Sequence, residues 1–175
     1  MTKVTLELSE GDWVVHNRHG LGQIIGMDTK ELLGDRKVFY VVKTESITYW
    51  LPIAESNSVR IRPVASADAF QLALKLMEET PQPLEDNFRR RLAAIQSEIQ
   101  KSTLLSKAAL IRDMYARDYQ KDVHINEKKI LDTLQQQFIN EWVATGGIQY
   151  EEAQDALRRA LKKSVANLKE KRRLF

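Results

Sequence analysis

The chain has 175 residues, with 27 Lys and Arg against 24 Asp and Glu, no cysteine and 43% hydrophobic residues. This ordinary globular composition excludes disulfide frameworks, iron–sulfur clusters and thiolate zinc sites, and no apolar stretch approaches the roughly 18 to 20 residues of a membrane span. With no basic-then-apolar signal pattern at its N-terminus, a cytoplasmic protein without a membrane role is expected.

Five of the seven glycines fall within the first 34 residues, between short runs rich in β-branched and aromatic side chains. The runs Trp13 to His16, Gly22 to Ile25, Lys37 to Lys43, Ile47 to Leu51 and Val59 to Ile61 predict five short strands in a small, strongly bent sheet or barrel. Leu33-Gly34-Asp35 reads as a hairpin turn with Gly34 at positive φ, and Pro52 and Pro63 each follow a strand run. After Pro63 no glycine appears until Gly146, and the apolar spacing becomes helical.

Ser66 caps a first predicted helix carrying Phe70, Leu74 and Met77, which Pro81 and Pro83 end. A second starts at Asp86 or Asn87 and carries Phe88, Leu92, Ile95 and Ile99. A third carries Leu105, Ala109 and Met114 and ends near Tyr119; a fourth runs from Asn126 through Ile130, Leu134 and Phe138 to Trp142, stopped by Gly146-Gly147. The fifth spans about Tyr150 to Lys171, with Ala153, Leu157, Leu161 and Val165 on one face. The expected architecture is α+β in two domains, residues 1–64 a small five-stranded β module and 65–175 a compact all-α module of about five helices.

Charge is also uneven. Residues 1–64 hold 8 basic and 8 acidic side chains; counted in halves, residues 1–80 hold 9 and 11 and residues 81–175 hold 18 and 13, and from Arg158 to Phe175 there are 8 basic residues against Glu170 alone. A polyanion is therefore expected to meet the second half.

Constellations for catalysis are scarce. His16 and His19 sit three apart, close enough to share a metal, but no carboxylate or thiol accompanies them and a polar turn is the simpler reading. Gly20-Leu21-Gly22 precedes strand residues rather than the helix N-terminus a phosphate loop needs. No Ser-His-Asp or Cys-His set can be assembled. The expectation is a protein that is not an enzyme, with no metal, no cofactor and no small-molecule substrate.

Binding features are better represented. Phe88-Arg89-Arg90-Arg91 sets an aromatic beside three guanidinium groups just after a proline-bounded hinge. Such a ring can wedge into a minor groove while arginines neutralise phosphates; equally, Phe88 opens the apolar stripe of its helix and can be core. In Tyr49-Trp50 strict alternation turns one ring to solvent, where it serves either docking or local packing.

The ordered series Gly11-Asp12-Trp13-Val14-Val15, His19-Gly20-Leu21-Gly22, Phe39-Tyr40-Val41-Val42-Lys43, Leu51-Pro52-Ile53, Ile61-Arg62-Pro63-Val64, Asn87-Phe88-Arg89-Arg90-Arg91, Leu110-Ile111-Arg112-Asp113-Met114-Tyr115 and Asn126-Glu127-Lys128-Lys129-Ile130-Leu131 resembles the CarD/CdnL-type bacterial transcription regulators. The N-terminal module of that family is also similar to the RNA-polymerase-interacting domain of transcription-repair coupling factors. The resemblance implies a Tudor-like β barrel that binds the RNA polymerase β subunit, and a helical module that contacts promoter DNA, in the minor groove at the upstream edge of the transcription bubble. It implies polymerase contacts at Lys30, Val41, Trp50 and Pro52, a DNA wedge at Phe88 and phosphate contacts at Arg90, Arg91 and Lys128.

The chain departs from the family pattern in several places. His16-Asn17 stands for the usual Tyr-Pro, Lys30 for a frequent arginine, Trp50 for arginine or methionine, and Phe88 for tryptophan. The implied activity is stabilisation of the promoter open complex by a monomer tethered to polymerase in the nucleoid. A rival is a polymerase-binding adapter whose helices meet another protein. A stand-alone nucleic-acid binder is a third reading, disfavoured by the neutral first 64 residues.

Overall fold

The structure, a computed structural model, describes residues 8–55, 60–121 and 123–173, of which residues 55 and 170–173 by their backbone alone. The chain forms two compact units that meet in sequence between Val64 and Ala65.

The first unit is an antiparallel sheet of β1 (Trp13–His16), β2 (Gly20–Leu32), β3 (Asp35–Lys43), β4 (Thr48–Pro52) and β5 (Ile61–Pro63) in the order β4-β3-β2-β1-β5. The sheet is open rather than closed into a barrel: the 3-10 turn Ile53–Glu55 follows β4, and β5 has only three residues. Both edge strands end in proline, Pro52 and Pro63, where the lost donor matters least. Val59, expected to open the last strand, lies outside the described residues.

β2 runs far beyond the expected Ile25. Its outer half, Met27 to Leu32, puts polar Asp28 and Lys30 at the half-buried positions and Met27 at an exposed one, so it lacks the apolar/polar alternation that marks a strand in sequence. It holds its form by pairing with β3 from Met27↔Tyr40 to Leu32↔Asp35. Leu33 and Gly34 close this hairpin with φ of 56° and 87°, the left-handed pair that a type I′ turn requires.

Val14, Ile24, Tyr40, Val42, Leu51 and Ile61 form the core, with Tyr49 packed against it. Gly22 allows this packing, because a Cβ there would stand 2.7 Å from Val42 Cγ1 and 3.3 Å from the Lys43 carbonyl.

The second unit comprises α1 (Ala67–Glu78), α2 (Phe88–Gln100), α3 (Leu104–Gln120), α4 (Ile125–Ala144) and α5 (Tyr150–Arg173). Side-chain oxygens satisfy first-turn donors: Ser66 accepts from the Ala69 N–H, Asn87 from Arg90 and Thr103 from Ser106. Asn87, not Asp86, is therefore the cap of α2. At the end of α4, Gly146 takes φ 77° after the Thr145 cap.

Phe70 stacks on Trp142 with centroids 5.5 Å apart while Phe138 meets it edge-on at 5.1 Å, and the buried faces of α3, α4 and α5 close around them. On α3 Met114 is buried as expected, together with Leu104, Ala108, Leu110 and Ile111, whereas Leu105, expected on that face, is exposed. No helix among the described residues is long and apolar enough to cross a membrane.

Candidate functional site

Strand register brings four of the expected binding residues onto one face of the sheet. Val41 pairs with Trp50, Phe39 with both Pro52 and Asp28, and Lys37 with Lys30. Because alternate residues share a face, Val41, Trp50, Pro52, Lys30 and Asp28 lie together, opposite the core residues Tyr40 and Val42.

Trp50 is 43% exposed, while its neighbour Tyr49 turns inward. The indole is fixed in place. Its Nε1–H donates to Asp28 Oδ2 at 2.9 Å, and Lys30 Nζ stands 3.4 Å from the ring centroid. An ammonium over an exposed indole contributes roughly 0.5–1 kcal/mol, and with its only N–H committed to Asp28 the ring offers a partner apolar surface rather than a hydrogen bond.

A second arrangement forms where the N-termini of α2 and α4 converge. Phe88 is the first residue of α2 and 37% exposed, with its ring 5.1 Å from that of His124. His124 caps α4, its Nδ1 accepting the Asn126 N–H at 3.2 Å. Arg90 is exposed, with no ion-pair partner among the described residues, and Lys128 lies in the first turn of α4, exposed and 3.6 Å from Asp118.

Arg91 behaves differently from its neighbours. Only 5% exposed, it donates from Nε to Glu127 Oε1 at 2.6 Å and from a terminal nitrogen to Glu127 Oε2 at 3.1 Å. Its other terminal nitrogen donates to the carbonyls of Glu85 and Asp86, both at 2.7 Å. The side chain thus clasps the 85–86 connection and α4 to the start of α2, so its charge is spent inside the fold and not presented to a phosphate. Glu127 is equally buried, and the hydrogen bonds from Arg91 hold its carboxyl below the usual carboxylate range. The same bonds raise Arg91 further.

The two histidines considered for a metal are otherwise engaged. His16 Nδ1 accepts the backbone N–H groups of Arg18 and His19, and both rings pack on Tyr49. Burial, with His19, Arg60 and Arg18 nearby, lowers the His16 pKa to about 4, and burial raises that of Tyr49 to about 12. Among the described residues no group of three or more His, Asp or Glu side chains is placed to hold a metal.

Residues 8–65 match the model of the CarD-like/TRCF RID domain, and residues 72–158 match that of the CarD C-terminal domain. The chain belongs to the CarD-like family. A Bacillus subtilis (strain 168) protein named "Putative transcription factor YdeB" is 25% identical over 140 residues, spanning 79% of this chain and 92% of the relative. The CarD-like family is one of transcription regulators, not of enzymes, and its N-terminal RID is an RNA-polymerase-interacting domain of Tudor-like kind, which the open five-stranded sheet fits.

Three residues of this CarD-like chain escape sequence reasoning. Asp28 lies 22 positions from Trp50 and reaches it across β3 in a register set by the bulge at Ile25. Glu127 is 36 positions from Arg91, and His124 meets Phe88 only through tertiary packing. A local signal exists only for Asp28, which alternates with Lys30 along a strand.

Proposed function

We propose that the chain acts as a monomer that docks on the RNA polymerase β subunit through Trp50, Val41, Pro52 and Lys30. Its helical unit then stabilises the promoter open complex at the upstream edge of the bubble. Phe88 is the apolar wedge against the DNA, Arg90 and Lys128 neutralise phosphates, and Arg91 positions the wedge from beneath.

The observation that carries this reading is the exposed Phe88 ring, at a helix start that the buried Arg91–Glu127 pair fixes. The surroundings support it. Two helix N-termini face the same region, and their partial positive charge favours phosphate, as do Arg90 and Lys128. A rigid ring gives a wedge little entropy to lose on insertion. Docking through the sheet face supplies a high local concentration at the promoter, so the wedge needs only a modest preference for melted over closed DNA. About 1.4 kcal/mol of differential affinity changes the ratio of open to closed complexes tenfold.

The test separates the two contacts. Trp50→Ala is expected to lose polymerase binding while the fold persists. Arg90→Ala is expected to bind polymerase normally and to weaken, with reduced salt dependence, the contribution of promoter DNA to the ternary complex.

A second reading is favoured by one observation: Ile125, 59% exposed, extends the Phe88–His124 pair into an apolar surface that suits a protein. On that reading the chain is an adapter, and the ternary complex shows no salt-dependent DNA contribution.

A further inference from the structure

Beyond the wedge site, the outer face of α5 carries charge that the residues above leave unused. From Ala156 to Lys169 this helix holds five cations and no acid; Lys163 pairs with Glu78, and Arg158 makes an exposed pair with Asp155 one turn back at 3.3 Å. Its inward stripe is Leu157, Ala160, Leu161, Ser164 and Val165, so Arg158, Lys162 and Lys169 fall together on the flank facing α3 and α4.

That flank is one wall of an open groove of about 400 Å³. It is lined by Tyr115 of α3, Asp132 and Gln135 of α4, and Arg158 and Lys162 of α5. Lys162 is exposed with no ion-pair partner among the described residues. Lys169 donates to the Tyr119 hydroxyl at 2.7 Å, a neutral partner that leaves its charge uncompensated.

Consecutive residues of α3 hold one cation of this helix and one of the proposed DNA site. Asp118 pairs with Lys128, and Tyr119 holds Lys169. Lys128 and Lys169 are thereby both held at the C-terminal end of α3, by Asp118 and Tyr119. Arg158 to Lys169 spans about 16 Å at 1.5 Å per residue, the axial length of about five phosphates on one strand.

We infer that Arg158, Lys162 and Lys169 form a second phosphate-binding track, which takes the backbone of duplex DNA running away from the wedge at Phe88. The inference rests on the DNA reading of the helical unit and adds a surface mostly beyond the matched residues 72–158. Each contact acts by neutralising a phosphate and releasing counterions, without reading bases. The track thus lengthens the footprint on DNA and leaves melting to Phe88.

The full chain, the triple variant R158Q/K162Q/K169Q and R90A are each titrated into a labelled duplex of about 30 base pairs between about 50 and 200 mM salt. Circular dichroism confirms the fold, and polymerase binding is measured in parallel. The triple variant is expected to bind the duplex more weakly and to lose about 2 to 3 from the slope of log K on log salt, roughly one per lost contact. R90A is expected to lose about 1. An unchanged slope in the folded triple variant, with R90A reduced, overturns the track and leaves the wedge site standing. Unchanged slopes in both overturn the DNA reading as well. Loss of polymerase binding by the triple variant, with DNA affinity intact, assigns the strip to a protein and overturns the track.

Discussion

Each unit of the molecule keeps an aromatic side chain exposed yet fixed, and the two do so by different physics. On the sheet, Trp50 is held by its neighbours in register: Asp28 takes its N–H and Lys30 covers its ring, both from β2 two strands away. The clamp is solvent-exposed and cheap to alter. In the helical unit Phe88 stands on a buried guanidinium–carboxylate pair that also ties down a connection and a second helix. There the ring's position and the unit's stability are one property, so the two interfaces are expected to tolerate change very differently.

The largest effect is expected from Glu127→Ala. Removing one partner of a buried ion pair leaves Arg91 uncompensated, at a cost of about 3–5 kcal/mol, and denaturant unfolding is expected to show the helical unit losing stability while the sheet unit keeps its own transition. The pH dependence follows the same pair. Glu127 is lower in the folded chain than the ordinary carboxylate value, so its stabilisation is complete above about pH 4.5 and is lost as pH falls through the depressed value. Glu127→Gln is expected to flatten acid unfolding of this unit. An unaltered acid limb would break the contrast.

Gly22→Ala comes next, since its Cβ would press on fully buried Val42. Overpacking of this kind costs about 1–3 kcal/mol, here confined to the sheet unit and readable as a lowered melting temperature.

Asp28→Ala probes the exposed clamp. It is expected to leave unfolding within about 0.5 kcal/mol of the parent while weakening polymerase binding several-fold, because Trp50 must then be ordered on docking. Equal losses in stability and binding would mean that Asp28 acts through the fold.

The last effect is confined to acid pH and concerns His16, lowered to about 4 by burial and its basic neighbours. Its folded form favours the neutral ring, so its stabilisation is full above the ordinary histidine value near 6.5 and declines as pH falls toward 4. NMR titration is expected to find His16 uncharged at pH 6, whereas a midpoint near 6.5 would remove this claim.

The same contrast sets how much was legible from the sequence. Ser66, the strands at Trp13 and Lys37 and the α5 stripe through Val165 carry local signals, and each takes its expected place. Leu104 and Leu105 are chemically identical neighbours, so periodicity alone does not choose between them, and packing buries the first. In the far half of β2 the half-buried face carries Asp28 and Lys30 and the exposed face Met27, so polarity there does not report the strand.

At the sites, Trp50 is visible as an aromatic pair at a strand end, and its clamp is not, because a bulge shifts the register that delivers Asp28. Arg90 and Arg91 look alike in a run of three arginines. Only the arrival of Glu127 from another helix makes one of them a strut and leaves the other a surface charge.

The central claim, that Phe88 favours melted DNA, is tested most directly by the lifetime of promoter open complexes after competitor challenge, at concentrations where the parent chain and Phe88→Ala both saturate polymerase. A lifetime shortened toward that of polymerase alone is the predicted result; a folded, polymerase-bound Phe88→Ala chain that prolongs the open complex as the parent does would contradict it.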